Sequence, residues 1–472
     1  MMEMNPSDYL FQQFKFPPTA GQAKLFDLLN EFILDKGIKR HTFLLRGYAG
    51  TGKTSTVNAL VRVLRRYNYQ TMLLAPTGRA AKVMSYYAKR RSYTIHKIIF
   101  KQTEDPDSGV LRFERQRNTS QNTIFIVDEA SMINDQADMG NAGLLTELIQ
   151  YVFQDPKSGN KLLLIGDTAQ LPPVHQQISP ALDAIVLEKD FHLRLIEHEL
   201  TQVVRQANES GILVNATGIR QQLTVPDPKI TLWTKSYKDV FSMTSERLED
   251  GLLYGYDKFG TENTVIICRS NRQATQYNQY IRRQIHFREE ELEPGDQLMI
   301  VRNNYHWLPE DSPAGFLANG EFIEVCSVRN IEEMHGHRFA DISFKLLDYD
   351  DHPIIEAKVL LDTLHSFTPS LSQQENRELY QNVVAEYNDV DSKAKRMKMI
   401  RGDQYLNALQ IKFSYALTCH KSQGGQWDAV FVDMGYLPNN EIDIDFLRWL
   451  YTATTRAQSE LFFMNFPSTY FK

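Results

Sequence analysis

The stretch "GYAGTGKT", residues 47 to 54, stands directly after the apolar run "TFLLR" (42 to 46) and directly before the helical "STVNALVRVLRR". Its eight positions fit G-x-x-x-x-G-K-[ST], and its strand, loop and helix context narrows what the chain can fold into. Glycines let successive backbone amides converge, and the helix N-terminus behind them adds its positive dipole end, so the loop suits phosphate oxygens. The bound species is then a nucleoside triphosphate with Mg²⁺. Lys53 is placed for the β- and γ-phosphates, Thr54 for the metal, and Gly47, Gly50, Thr51, Gly52 and Ser55 complete the cradle. A glycine-rich turn with no ligand is the competing reading, and the order of strand, loop and helix weighs against it.

A strand that must lie in a buried parallel sheet needs companions. "TMLLA" (71 to 75), "TIFIV" (123 to 127) and "KLLLI" (161 to 165) supply them, at spacings that suit right-handed βαβ crossovers. A second set follows in "TVIIC" (264 to 268), "FSYALT" (413 to 418), "DAVFVD" (428 to 433) and "LFFM" (461 to 464). The fold class is therefore α/β with two such units in tandem. Between them, "GDQLMIVRNN" and "LANGEFIEVCSV" alternate as strands do, and Asn319-Gly320 marks a tight turn. Residues 295 to 365 read as a small inserted β-barrel. The stretch 370 to 402 reads as helical, and the basic side chains at 393, 395, 396, 398 and 401 are either a solvated face or a phosphate contact.

At 472 residues, the chain has room for about three domains on a prior of roughly 150 residues each. The formal charge of −6 means that any nucleic-acid groove is local. No apolar run approaches the roughly 20 residues of a membrane span, and "MMEMNPSDYL" lacks the basic and apolar regions of a leader, so a cytoplasmic protein is expected. Cys268, Cys326 and Cys419 form no C-x-x-C pair and read as buried thiols.

Three further stretches carry chemistry. "TIFIV" ends in Asp128-Glu129, where the first carboxylate suits Mg²⁺ and the second can polarise an attacking water; a solvated turn is the bland alternative. "GDTAQLPPV" (166 to 174) puts Gln170 near the expected γ-phosphate. "LYTATTRAQ" (450 to 458) offers Arg456, either a solvated arginine or one supplied by the second unit to the γ-phosphate.

With these residues in hand, the chain resembles superfamily 1 helicases of the RecD/Dda-like group, with motifs in order over nearly its whole length. "TAGQ" looks like the Q motif, "GYAGTGKT" motif I, "APTGRAA" Ia, "TIHKII" Ib, "IVDEASM" II and "GDTAQLPPV" III. "LTQVVRQ", "TCHKSQG" and "TATTRA" resemble motifs IV, V and VI.

The resemblance implies two RecA-like P-loop domains, 1A over 1–195 and 2A over 196–294 and 403–472, with an SH3-like 2B domain and helical extension over 295–402. It implies that Gln22, Lys53, Thr54, Asp128, Glu129, Gln170, Arg205 and Arg456 surround one ATP. Pro76, Thr77, Thr94, His96, Asn271, Thr418 and His420 become candidate contacts to single-stranded DNA, although each histidine alone fits a bonded core residue equally well. The run 98 to 118, within a pin subdomain at about 97–120, reads as a β-hairpin. It matches the family's pin, and Leu111 or Phe113 would wedge the duplex or merely cover the lobe. The group often has a larger side chain where this chain has Gly78, so either the backbone carries that contact or Arg79 compensates.

The implied activity is that of an ATP-driven, monomeric DNA helicase acting at duplex junctions, 5′ to 3′ by the family's habit. Two alternatives stay open: an RNA helicase or ribonucleoprotein remodeler, and an ATP-binding accessory subunit of a recombination nuclease.

Overall fold

The structure, a computed structural model, describes residues 4–14, 17–37, 39–104, 111–137, 142–204, 209–308, 316–347, 349, 354–437 and 441–472, with the side chains of 102–104 and 111–113 outside that description. Six strands form the first sheet: β1 (His41–Gly47), β2 (Gln70–Ala75), β3 (Ser92–Thr94), β6 (Thr123–Val127), β7 (Lys161–Gly166) and β8 (Arg194–Leu200). Their order is β3-β2-β6-β7-β1-β8 and every pairing is parallel. Apolar clusters cover both faces, one around Phe26, Leu60 and Ile126, the other around Leu44, Phe125 and Leu164, which is why these strands read as continuous apolar runs. Because β8 belongs here, the first lobe extends to Leu200, past the boundary of 195 expected from the sequence.

Between β3 and β6, β4 (Phe100–Glu104) pairs antiparallel with β5 (Leu111–Arg115), giving the expected hairpin its two arms. Its root is pinned: Arg115 pairs with Glu147 (2.8 Å), and the Gln116 amide donates to the Ile98 carbonyl (2.6 Å). The expected turn "DPDSG" and the side chains of Leu111 and Phe113, the expected wedge, lie outside the described residues.

The second sheet, also parallel, has the order β16-β10-β17-β18-β9, built from β9 (Val240–Met243), β10 (Thr264–Cys268), β16 (Ala416–Thr418), β17 (Trp427–Asp433) and β18 (Ala457–Met464). A closed barrel interrupts it, made of β11 (Gln297–Ile300), β12 (Phe322–Met334), β13 (His337–Leu346), β14 (Ile354–Leu360) and β15 (Leu409–Phe413). "FSYALT" is thus two strands in two domains, broken at Ser414 and Tyr415, and the barrel closes past the expected edges of 365 and 402. Side-chain bonds force the break. The Asn278 amide donates to the carbonyls of Phe413 (3.1 Å) and Ala416 (2.9 Å), and the Tyr415 hydroxyl donates to Asp296 (3.1 Å).

Asp296 is fully buried and also accepts a two-pronged contact from Arg282 (2.9 and 2.8 Å), a geometry in which the two charges satisfy each other. Around this junction one apolar cluster runs from Ile266 and Phe431 of the second lobe into Leu298, Ile342 and Phe344 of the barrel. The barrel therefore shares a core with its host lobe. Cys268 and Cys419 are buried, whereas Cys326, on the outer side of β12 beside a bulge, is exposed, contrary to the sequence reading. The basic segment forms the helix Lys393–Arg401, and Lys393, Lys395 and Lys398 on it are exposed, in keeping with a solvated face. Among the described residues no helix is long and apolar enough to cross a membrane.

Candidate active site

Strands β1, β7 and β6 are neighbours, so the loops after Gly47, Gly166 and Val127 emerge side by side at the C-terminal edge of the sheet. The first is the glycine-rich loop. Gly50 (φ +74°) and Gly52 (φ +93°) adopt the left-handed region, and a Cβ on Gly52 would stand 2.4 Å from the Gln22 amide nitrogen. The helix Lys53–Leu64 starts at once, aiming its first amides back at the loop. Lys53 Nζ donates to the carbonyls of Gly47 (2.6 Å) and Tyr48 (3.0 Å), and the Thr51 hydroxyl donates to Tyr48 O (2.8 Å).

Gln22 sits beneath this loop rather than open to the cleft. It is the third residue of the helix Ala20–Leu34, whose N-cap Thr19 forms a reciprocal capping box with it. Its Oε1 accepts the Thr19 N–H (3.0 Å), and its Nε2 donates to Thr51 O (3.0 Å). Both ends of the amide are engaged, so Gln22 braces the loop in this conformation.

After β6, Asp128 Oδ1 accepts the Glu129 N–H (2.9 Å), and its other oxygen accepts the Tyr87 hydroxyl. Glu129 has φ +53°, a strained backbone for a non-glycine residue of the kind that gathers at functional sites. Burial raises the Glu129 carboxyl above the usual carboxylate range; Arg456, the strongest charged influence on it, pulls the other way, and Asp128 pushes it up again. After β7, Gln170 is buried with no partner for its Oε1 among the described residues, and Asp167 accepts the Ala169 N–H (2.9 Å) and the Tyr451 hydroxyl (2.7 Å).

Lys53, Thr54, Ser55, Asp128, Glu129, Gln170 and Arg456 line one cleft of about 1180 Å³ between the lobes. Arg456 is buried, so the solvated reading fails. It follows the helix Ile444–Thr454, with Nε donating to Thr452 O (3.0 Å), one terminal nitrogen to Gly425 O (3.2 Å) and the other to the Thr455 hydroxyl (3.2 Å). Arg205, the expected second γ-phosphate contact, lies outside the described residues.

The residues present fit a triphosphate with Mg²⁺. The left-handed glycines let the loop turn over Gln22 and Leu213 without a side chain in the way, Gln170 Oε1 has no hydrogen-bond partner among the described residues, and the exposed Thr54 lines the same cleft as Asp128.

The candidate strand contacts fall on equivalent edges of the two sheets. In the first lobe Ala75 and Thr94 are register partners on β2 and β3, and Pro76 and Thr77 come next. Thr77 and Thr94 cap helices, accepting from the Ala80 and Lys97 amides (3.3 Å each), while the His96 ring lies 5.8 Å from Phe100 and 6.4 Å from Phe316. In the second lobe Cys268 and Thr418 are register partners on β10 and β16, Asn271 opens the next helix, and His420 is exposed. Asn271 and Thr418 share a crevice with Lys412 and Lys421, whose ammonium groups burial brings down to about 8.

Gly78 has a steric reason. A Cβ there would lie 3.1 Å from a Glu321 oxygen at the barrel rim. The Arg79 guanidinium lies over the Trp427 (4.2 Å) and Phe322 (4.6 Å) rings and donates to Gln426 O (3.2 Å), tying the first lobe to the second lobe and the barrel. Tyr87, Asp167, Tyr451, Lys412 and Lys421 are site residues that the sequence did not single out. Asp167, Tyr451 and Lys421 stand inside quoted motifs, while Tyr87 and Lys412 carry no sequence signal.

Residues 36–223 match the family model of an AAA domain, and residues 413–464 match that of a UvrD-like helicase C-terminal domain. An uncharacterized protein of Acanthamoeba polyphaga mimivirus is 24% identical, over 89% of this chain and 95% of its own length. The ATP-dependent RecD2 DNA helicase of Deinococcus radiodurans is 29% identical over 40% of this chain, and the ATP-dependent DNA helicase dda of Enterobacteria phage T4 is 26% identical over 43%. These matches span 23% and 42% of those two helicases' own lengths. Among solved structures, a Bacteroides Pif1 helicase in complex with ADP-AlF3 and ssDNA aligns over 96% of this chain and 93% of its own, at 16% identity and a TM-score of 0.47.

Proposed function

We propose that this chain, which joins an AAA domain to a UvrD-like helicase C-terminal domain in the manner of the superfamily 1 RecD, Dda and Pif1 helicases, hydrolyses ATP between its lobes to move along single-stranded DNA and open duplex ahead of it. One observation carries the reading: Arg456 of the second lobe is buried in the lining of the same cleft as Lys53, Asp128 and Glu129 of the first.

Each residue then has a task. The loop amides and Lys53 bind the phosphates, and Glu129, placed by Asp128 and the strained backbone, orients a water and takes its proton. Mg²⁺ held at Thr54 and Asp128 would supply charge neutralisation to the phosphates. Arg456 completes the charge complement only when the lobes are close, so hydrolysis depends on closure and phosphate loss relaxes it. The strand lies over the edges bearing Pro76, Thr77, Thr94 and His96 in one lobe and Asn271, Thr418 and His420 in the other. Alternating grip on those edges moves it one way. Duplex stacking costs about 1.4 kcal/mol per step, a small load for this reaction, and the β4–β5 hairpin stands as the wedge. The protein works as a monomer, 5′ to 3′.

Strand-separation assays with 5′-tailed and 3′-tailed DNA duplexes and their RNA counterparts test this. Unwinding of the 5′-tailed DNA with ATP is expected. Unwinding of only the 3′-tailed duplex would reverse the direction, and unwinding of only RNA would replace the substrate.

A further inference from the structure

The end of the helix Ile444–Thr454 crosses from the second lobe into the first. The Tyr451 hydroxyl donates to Asp167 Oδ2 (2.7 Å) and accepts the Ala49 N–H of the glycine-rich loop (2.8 Å). One oxygen atom thus joins two loops of the first lobe, those after the adjacent strands β1 and β7, to a helix of the second. Tyr451 and Asp167 are each 1% exposed, so the bond between them is buried, at the wall of the cleft that Asp167 and Ala49 line. Burial and the Asp167 charge hold the phenol pKa well above its ordinary value, which keeps it a neutral donor.

The next residues extend the contact. The Thr452 hydroxyl accepts the Leu171 N–H (2.8 Å), beside Gln170, and Gln423 Nε2 donates to Leu171 O (2.7 Å). The Thr452 carbonyl in turn accepts Arg456 Nε (3.0 Å). Within six residues the same stretch holds the glycine-rich loop, the loop bearing Gln170 and the anchor of Arg456.

We propose that Tyr451 is a positioning residue for hydrolysis: its hydroxyl, bonded at once to Ala49 and Asp167, sets the lobe spacing at which Arg456 faces Glu129. This rests on the ATPase reading above. The role belongs to the hydroxyl, because the ring packs in the apolar cluster with Leu447 and Leu450 whether or not it carries oxygen. Tyr451→Phe keeps that packing and removes both bonds.

The test is steady-state ATP hydrolysis with saturating single-stranded DNA by the full chain, with melting temperature measured alongside. For Tyr451→Phe, kcat is expected to fall roughly ten-fold or more, the equivalent of one or two lost buried hydrogen bonds, while KM for ATP changes by less than about three-fold. Asp167→Asn removes the charged acceptor and should reproduce the loss. In the double variant the loss should not multiply, because both changes cut one link. A purely structural role would lower the melting temperature and leave kcat of the folded fraction unchanged, which overturns the proposal. If Tyr451→Phe does not fold, Asp167→Asn decides alone by the same criteria. A wild-type chain stimulated by DNA together with a variant within about two-fold of it removes only Tyr451 from the mechanism; a wild-type chain that DNA does not stimulate removes the ATPase coupling itself.

Discussion

Arg456→Ala is expected to lower DNA-stimulated ATP turnover on the order of 10³-fold, the scale of removing an arginine finger. Three of the five guanidinium N–H groups are already used on Thr452, Gly425 and Thr455 of its own lobe, leaving about two for phosphate oxygens. Its own lobe thus anchors the side chain by three hydrogen bonds, and in the proposed mechanism the remaining N–H groups reach the γ-phosphate. Nucleotide binding, supported by Lys53 and the loop amides, should persist, so the defect belongs to kcat. Arg456→Lys keeps the charge without the fork and should recover only part of the rate. Phosphate release at saturating DNA, paired with titration of a fluorescent nucleotide, separates the two effects. Turnover near normal in the alanine variant would take the finger role from Arg456.

Glu129→Gln should be nearly as severe, about 10²- to 10⁴-fold, since it removes the group that accepts the proton while keeping its shape. The pH profile gives a second readout with a definite sign. In the proposed mechanism Glu129 works ionised, so turnover should rise with pH through its pKa, and burial places that rise above the ordinary carboxylate range. The Arg456 charge pulls the pKa down, so the residual activity of Arg456→Ala, which loses that charge, should begin its rise at higher pH still. In Glu129→Gln the acid limb should vanish. A limb unchanged in both variants would assign it to another group.

Much of this site was legible because its motifs are local. Glycines with positive φ, a lysine at a helix start and carboxylates at a strand end are short-range patterns, and the structure gathers Lys53, Thr54, Asp128, Glu129, Gln170 and Arg456 in one cleft. The four first-lobe strands were legible for a related reason: burial on both faces leaves continuous apolar runs. What was hidden depends on contacts between distant segments. The Tyr451 link spans 402 residues to Ala49 and 284 to Asp167, and tyrosine in an amphipathic helix looks like core. The split of "FSYALT" follows from Asn278 bridging both sides of Ser414, which no pattern within those six residues reveals. Gln22 shows a different limit. A capping box and a nucleotide-facing amide have the same sequence signature, and the amide here is bonded at its oxygen by Thr19 and at its nitrogen to Thr51.

Motif Ia illustrates how a departure from a family pattern acquires a physical reason. Gly78 leaves room for Glu321, and Arg79 is drawn between Trp427 and Phe322. Gly424 (φ +73°) packs so closely that a Cβ would lie 2.9 Å from Ala80 Cβ. The stretch Gly78–Ala80 is thereby a contact between the first lobe, the second lobe and the barrel, a role that sequence likeness to the group does not convey.

If closure of the two lobes on one ATP is coupled to the polymer lying across both, phosphate release by the wild-type chain at saturating ATP should rise many-fold when single-stranded DNA is added. Equal rates with and without the strand would show that the lobes close independently of it.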